Sequence, residues 1–147
     1  MSEVFQIGIA KGHSQKIETV KKIVLLAGKG ITGDRHLNKF NNPYNQLTLI
    51  ESENIDNYNK KNNLKIPYLS FRRNIVTKNI KLNDLIGKKL RIGNTEVKVN
   101  DLCRPCKHLQ IILNQNNIIK EFLRKGGLRC EILTSGNIKV GDLINIL

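Results

Sequence analysis

Residues 27–36 read Ala27-Gly28-Lys29-Gly30-Ile31-Thr32-Gly33-Asp34-Arg35-His36, and this stretch decides between two kinds of fold. Its glycines have the G-x-G-x-x-G spacing of a dinucleotide-binding turn, the preceding KKIVLLA is typical of a strand, and Glu51 closes the next predicted strand where a ribose partner would lie. The chain continues DRHLNKFNNPYN, in which asparagines and Pro43 disfavour the helix that a parallel crossover requires. We therefore exclude a dinucleotide site and expect the glycines to shape a loop.

Length and cysteine content indicate the broad class of protein. The 147 residues predict one domain, 1–147, and hold no apolar run long enough to cross a membrane. The N-terminal MSEVFQIGIAKGH lacks the basic start and apolar core of a signal peptide. Three cysteines, an odd number, argue against a secreted disulfide scaffold. These features together predict a cytoplasmic protein without a membrane partner.

The charge is strongly positive but dispersed. The net charge is +13, yet the lysines are scattered along the chain and aromatic residues are few, so we expect a solvated basic surface and no nucleic-acid partner. Arginine is rare beside lysine, with 7 against 18, and its planar fork grips phosphate or carboxylate with two bonds. A clustered set would suit a compact anionic ligand. Five arginines lie beside glycine, cysteine or asparagine motifs: Arg35, Arg72, Arg73, Arg104 and Arg129.

Hydrophobic periodicity predicts a mainly β (α+β) fold: a barrel-like mixed sheet with a few short helices. Gly93-Asn94 is a two-residue hairpin signal, while Ser135-Gly136-Asn137 and Gly141-Asp142 indicate turns. The predicted strands are Val4–Ala10, Lys21–Leu26, Gln46–Ile50, Arg72–Ile80, Lys89–Ile92, Thr95–Asn100, Leu128–Leu133 and Leu143–Leu147. The predicted helices are Glu51–Lys61, Cys106–Leu113 and Ile118–Lys125, the last stopped by Gly126-Gly127.

The sharpest local motif is Leu102-Cys103-Arg104-Pro105-Cys106-Lys107-His108, where a strand ends and a helix starts. Pro105 suits the first helical position, which would put Cys106 in the first turn, near the positive end of the helix dipole. Arg104 and Lys107 add positive charge, and all three effects favour a thiolate. Cys106 is therefore the candidate reactive residue, with Cys103 as a potential partner.

Other interpretations of the cysteines stay open at this point. A zinc site could add Cys130 and a histidine, although a second close ligand pair is absent. A redox C-x-x-C belongs near a βαβ unit, which the pattern does not show. A pair of small buried hydrophobes is the structural alternative. Cys130 alternates in phase with Leu128 and Ile132, which predicts a core thiol.

Two further segments could bind an anion. In Ser70-Phe71-Arg72-Arg73-Asn74-Ile75-Val76-Thr77 a strand would place Arg72 and Asn74 on one face and Arg73 on the other, although charge on an edge strand has the same pattern. In the opening loop, the glycines allow positive φ or a close ligand approach, which favours a binding role for Arg35. His36 could orient a ligand or cap the turn.

The order of motifs resembles the MOSC domain, named after the C-terminal part of molybdenum cofactor sulfurases. The matching segments are GITGDRH, QLTLIE, FRRNIVT, LNDLIGKKLRIG, DLCRPCKHL and KGGLRCEILTSGNIKVGDLI, from about Gly30 to the C-terminus. The resemblance implies a barrel-like β fold that binds the molybdenum cofactor, with Cys106 as the metal ligand and Arg72 and Asn74 on the pterin. We further expect the cofactor to contact Gly33, Asp34, Arg35, His36, Arg104 and Arg129.

Related amidoxime-reducing proteins imply an activity, the reduction of N-hydroxylated compounds. The sequence shows no flavin or iron–sulfur motif, so an external electron donor would be required alongside the small-molecule substrate. The alternatives are a sulfur carrier, whose Cys106 takes a persulfide from a separate cysteine desulfurase, and a non-catalytic cofactor-binding module. The pyridoxal-phosphate domain of the sulfurases is absent from this sequence.

Overall fold

The structure is a computed structural model that describes residues 1–38 and 45–147. Short strands dominate, and the helices are short. The strands are β1 Glu3–Ile9, β2 Glu18–Val20, β3 Lys22–Leu26, β4 Gly30–Ile31, β5 Leu47–Glu51, β6 Ile75–Lys78, β7 Lys89–Ile92, β8 Thr95–Leu102, β9 Leu128–Ile132, β10 Gly136–Lys139 and β11 Ile144–Ile146. The helices are α1 Ser52–Asn62, α2 Lys107–Leu113 and α3 Ile118–Glu121, with 3₁₀ turns at Tyr68–Phe71 and Leu82–Leu85.

Eight strands form one curled sheet in the order β11-β7-β8-β9-β5-β6-β1-β2, and β3 pairs with β10 and β4 in a second sheet. Strands β5 and β6 are parallel and are connected through α1, whereas the other described pairs are antiparallel. The sheet is therefore mixed. The expectation that the chain lacks a βαβ unit was wrong, because β5, α1 and β6 form one.

Backbone bonds near the two ends of the chain close the large sheet toward a barrel. Val4 N–H donates to Asp142 O at 2.9 Å, and Gly141 N–H donates back to Val4 O at 2.8 Å. Ile144 N–H donates to Ser2 O at 3.0 Å, and Glu3 forms a bridge with Leu143. These contacts bring β1 beside the edge that carries β11, which confirms the predicted barrel-like, mainly β fold.

The apolar residues form two clusters. The larger lies inside the curled sheet and follows the two-residue alternation of its strands, as in β9, where Leu128, Cys130 and Ile132 are buried. The smaller joins the helices to the outside of the sheet and contains three tilted aromatic rings, with Phe71 4.8 Å and Tyr58 5.2 Å from Phe122 between ring centroids. The helices therefore cover one face of the barrel.

Several predicted elements differ from those observed. Strand β6 begins at Ile75, so Arg72 and Arg73 precede it, and Gly136-Asn137 lie in β10 and do not form a turn. Helix α3 ends at Glu121, before the predicted Lys125. The hairpin at Gly93-Asn94 is confirmed. Residues 34–38 form turns, as expected, while Phe40, Pro43 and Tyr44 lie outside the described residues.

No helix among the described residues has both the length and the apolar character needed to span a bilayer.

Candidate functional site

A cleft of about 180 Å³ lies where five segments of the chain converge: the loop after β1, the turn after β4, the start of β5, the stretch before β6 and the start of α2. It therefore brings together three of the motifs that the sequence singled out, which lie far apart along the chain. The cleft is lined by His13, Arg35, His36, Asn45, Thr48, Arg72, Arg73, Cys103, Cys106, His108, Leu109 and Ile112.

Asp34 organises the floor of the cleft. Its Oδ1 accepts the backbone N–H of Ala10 at 3.1 Å and lies 3.3 Å from Nη1 of Arg35. Its side chain has no solvent exposure, and burial alone would raise its pKa. The backbone N–H groups of Ala10 and His36, the Arg35 guanidinium and the nearby His36 ring outweigh that burial and hold the pKa of Asp34 below its usual value. Asp34 is therefore a buried carboxylate that stays charged.

His36 is placed by the same carboxylate. Its backbone N–H donates to Asp34 Oδ2 at 3.3 Å, while its ring Nδ1 lies 3.5 Å from that oxygen, beyond good hydrogen-bond length. Nδ1 is buried and has no hydrogen-bond partner among the described residues. The ring meets His13 edge to face at 5.8 Å. The two histidines form one wall of the cleft.

Arg72 has an unusual backbone. It ends the 3₁₀ turn Tyr68–Phe71 with φ 64° and ψ 26°, a left-handed conformation that costs a non-glycine residue about 1–2 kcal/mol. Its guanidinium compensates by donating to the carbonyls of Gln15 at 2.7 Å and His13 at 3.0 Å. Arg35 Nη2 in turn donates to Arg72 O at 3.0 Å. The expectation that Arg72 shares a strand face with Asn74 was wrong.

The cleft carries more positive than negative charge. Arg35, Arg72 and Arg73 all line it. Of these three arginines, Arg35 alone has a described carboxylate partner within 4.0 Å, which is Asp34. Arg73 uses Nε and Nη1 on the carbonyls of Gly126 and Phe71. Burial lowers the pKa of Arg35, and the charges of Arg72 and Arg73 lower it further, while Asp34 opposes them. Three guanidinium groups against one carboxylate favour an anionic ligand.

The two cysteines of the C-x-x-C motif reach the cleft from the start of α2. Cys106 is the N-cap residue in an extended conformation, so Pro105 precedes the helix and the prediction that Cys106 lies in the first turn was wrong. Cys106 is exposed and Cys103 is half-buried, and both are free thiols. Arg104, expected to support the thiolate, binds Asp101 Oδ2 at 2.8 Å and is exposed.

Gly126 and Gly127 hold the cysteine segment against the sheet. Cys103 N–H donates to Gly127 O at 2.7 Å, and a Cβ on Gly126 would overlap Cys103 O. Gly127 has φ +99°, and a Cβ there would overlap Leu49 O of β5. The sequence assigned these glycines to a helix stop. The structure shows instead that they permit a close approach of three backbone segments.

The structure separates the remaining predicted site residues from the cleft lining. Asn74 is buried, accepts from the backbone N–H of Thr48 at 3.1 Å and donates to Gly8 O at 3.1 Å, so it supports the cleft from beneath. Arg104 and Arg129 both contact Asp101 and are not among the residues that line the cleft. Gly33, with φ +84°, shapes the turn.

Several lining residues gave no signal in sequence. His13 and Asn45 lie outside the quoted motifs, and Thr48 lies in QLTLIE without a predicted role, so the place of all three in the cleft depends on tertiary contacts. Cys130 is buried and its pKa is raised by burial, which confirms the predicted core thiol. Among residues 1–38 and 45–147 no group of three histidines, cysteines or acidic residues could hold a metal ion.

The fold and the cleft together define a class: a small curled-sheet protein with thiols and arginines converging at the start of a short helix. The chain belongs to the MOSC domain family, whose family model matches residues 17–145. No match was found among curated protein sequences.

Solved structures with the same fold include the YUAD protein from Bacillus subtilis, at 18% identity and a TM-score of 0.85, covering 99% of this chain and 96% of that one. The chain is also similar to YiiM from Geobacillus stearothermophilus, at 15% identity and a TM-score of 0.80, covering 100% of this chain and 75% of that one. YiiM from Escherichia coli matches at 15% identity and a TM-score of 0.72, over 99% of this chain and 68% of that one.

Proposed function

We propose that the protein binds the molybdenum cofactor in the cleft and takes part in the reduction of N-hydroxylated compounds, using electrons from a separate donor protein in the cytoplasm. The observation that carries the proposal is the convergence of two thiols and three arginines, with one carboxylate among them, on a single cleft. Thiolate is a soft ligand suited to a thiophilic metal, and guanidinium groups suit the phosphate end of the pterin.

The donor set fits the cofactor chemically. Cys106, the more exposed thiol, would hold the metal, and Arg73, whose Nη2 has no described hydrogen-bond partner, would meet the phosphate together with Arg35. The cleft of about 180 Å³ is smaller than the roughly 300–1,000 Å³ of typical ligand sites, so the metal end and one anionic group would fill it.

The chain's own residues would bind and orient the reactants. When bound, the metal centre would supply the two electrons that, with two protons, convert an N-hydroxyl group to N–H and water. Asp34 would keep Arg35 in place through a charged contact, and Arg35 would keep the backbone of Arg72 in place. Leu109 and Ile112 would exclude water from the apolar side of the cleft.

A second candidate function is sulfur transfer. Cys106 is exposed at the mouth of the cleft, and an accessible thiol could take a persulfide from a cysteine desulfurase and pass it on. This function needs the thiol but not the arginines.

The deciding test is elemental analysis of the protein after co-expression with a working molybdenum-cofactor pathway, comparing the wild type with Cys106→Ala, Cys103→Ala and Arg73→Gln. We expect near-stoichiometric molybdenum in the wild type, loss in Cys106→Ala and a reduced content in Arg73→Gln. Molybdenum that remains in Cys106→Ala would contradict the ligand assignment. No molybdenum, with extra sulfur on Cys106 by intact mass, would favour the carrier. Molybdenum without turnover of a hydroxylamine and a donor would indicate a non-catalytic binding module.

A further inference from the structure

A second cavity adjoins the cleft and has a different character. It encloses about 500 Å³, within the roughly 300–1,000 Å³ range of small-molecule sites. Arg72 and Ile112 line both cavities, so a molecule in this groove lies next to the cysteine cleft. The groove is lined by Lys16, Ile17, Lys65, Ile66, Pro67, Ser70, Arg72, Ile112 and Leu113.

The groove combines an apolar floor with positive charge. Most of its lining is aliphatic, and Ile112 alone leaves 42% of its surface exposed. The charged lining residues are Lys16, Lys65 and Arg72, and no acidic side chain is among the described lining residues. Binding a hydrocarbon group against an apolar surface is favourable because both surfaces leave water. Lysines without a neighbouring acidic side chain attract an anion. The matching ligand has both features.

The walls of the groove are held in place before a ligand binds. The Asn59 side chain in α1 donates to Ile66 O at 3.0 Å and accepts from Ile66 N–H at 3.1 Å, which fixes the segment that carries Lys65. Arg72 is fixed by its carbonyl contacts with Gln15 and His13. A preformed site loses less conformational entropy on binding.

We infer that this groove binds a small amphipathic anion, an aryl or alkyl body with one carboxylate or phosphate group. Resting on the proposed function, this ligand is the body of the N-hydroxylated substrate. The anionic group pairs with Lys16 and Lys65, the hydrocarbon lies on Ile66 and Ile112, and the N–O end reaches the cysteine cleft past Arg72. The protein would then select anionic over neutral N-hydroxylated compounds.

The test is an NMR titration of the full chain, without molybdenum, with 4-phenylbutyrate and its neutral isostere 4-phenylbutanamide. We expect saturable binding of the acid, with the largest backbone chemical-shift changes at 65–67 and 112–113. The amide should bind at least about fivefold more weakly than the acid. Lys16→Gln/Lys65→Gln should weaken binding of the acid to the level of the amide. The control Lys89→Gln/Lys98→Gln changes the charge equally on exposed strand positions outside the groove and should bind like the wild type.

Equal affinity for the acid and the amide, or shifts that spread outside the groove, would overturn the inference. So would an unchanged affinity in Lys16→Gln/Lys65→Gln. The titration needs neither metal nor turnover, so a negative result would not contradict the predicted molybdenum content. Conversely, if the protein lacks molybdenum but binds the acid through these lysines, the groove is a binding site for the anion and the proposed reduction is contradicted.

Discussion

At the scale of single residues, the buried charge of Asp34 determines how the cleft responds to acid. The folded state holds the pKa of this carboxyl below its ordinary value, so the ionised form stabilises the fold. That stabilisation is complete above the unfolded-state pKa of 3.8 and is lost as the pH falls through the lower folded-state pKa.

We predict that Asp34→Asn lowers the free energy of unfolding by about 1–3 kcal/mol near neutral pH, because it removes the charge that partners Arg35. The difference from the wild type should shrink as the pH falls below about 4. Urea unfolding across pH measures it. Asp84→Asn, at an exposed position, should change the free energy of unfolding by no more than about 0.5 kcal/mol near neutral pH. A constant difference down to about pH 2.5 would contradict the assigned charge.

Arg72 shows where sequence reasoning fails for a single residue. The alternation in FRRNIVT is compatible with one continuous strand, and a left-handed arginine is rare enough that no local pattern predicts it. Its conformation depends on carbonyls of residues 13 and 15, nearly sixty positions away. The start of α2, by contrast, was predicted to within one residue, because Pro105 indicates the start of a helix. Cys106 is the N-cap residue of this helix and does not lie in its first turn.

At the scale of elements, the cysteine segment depends on its contact with β5 through Gly127. Because a Cβ at Gly127 would overlap Leu49 O, the two segments can approach this closely only with glycine there. Cys103 N–H bonds to the same residue, so any displacement moves the thiol loop.

We predict that Gly127→Ala lowers the free energy of unfolding by about 2–4 kcal/mol, since it adds a backbone clash to the cost of positive φ. Gly87→Ala is the matched control: Gly87 has φ +82° with open space around its Cβ position, so only the conformational cost of about 1–2 kcal/mol applies. Thermal and urea unfolding of both variants measure the difference. Equal losses would mean that β5 yields to the new methyl group.

Elements were predictable where periodicity was strong. Strand β7 alternates between exposed and buried positions and β9 between buried and half-buried ones, and both strands were predicted. Strand β10 was taken for a turn because Ser135, Gly136 and Asn137 are turn residues, although pairing with β3 makes 136–139 a strand. The short strands β2 and β4 give too few residues for a period to be visible.

At the scale of the whole molecule, the three thiols report different depths of the structure. Cys106 is exposed and Cys103 half-buried at the cleft, whereas Cys130 is buried inside the curled sheet. Burial also raises the pKa of Cys130, which suppresses its reactive thiolate.

We predict that a thiol reagent labels Cys103 and Cys106 of the native protein rapidly. Cys130 should react at least about 100-fold more slowly, at a rate set by opening of the barrel. In denaturant all three should react together. Mass spectrometry of labelled peptides identifies the sites, and Cys130→Ser should leave only the fast labelling. Native labelling of Cys130 at the rate of Cys106 would show that the sheet interior is accessible.

The overall architecture followed from the sequence more readily than the site did. Many short alternating segments with turn residues between them predict a curled β fold, because each strand must bury one face. The cleft draws on the loop after β1, whose His13 belongs to no motif, so its composition became visible only with the chain folded.

The closure of the barrel has a consequence for the order of the chain. The Ile144 N–H in β11 donates to the carbonyl of Ser2, just before β1, and Glu3 forms a bridge with Leu143, so the starts of β1 and β11 are neighbours. Two neighbouring strands such as β1 and β11 can be joined by a short linker, and the backbone can be cut in an exposed turn elsewhere. The arrangement of the strands therefore does not depend on which strand comes first in the chain. Circular permutants should form the same cleft from a rearranged order of segments.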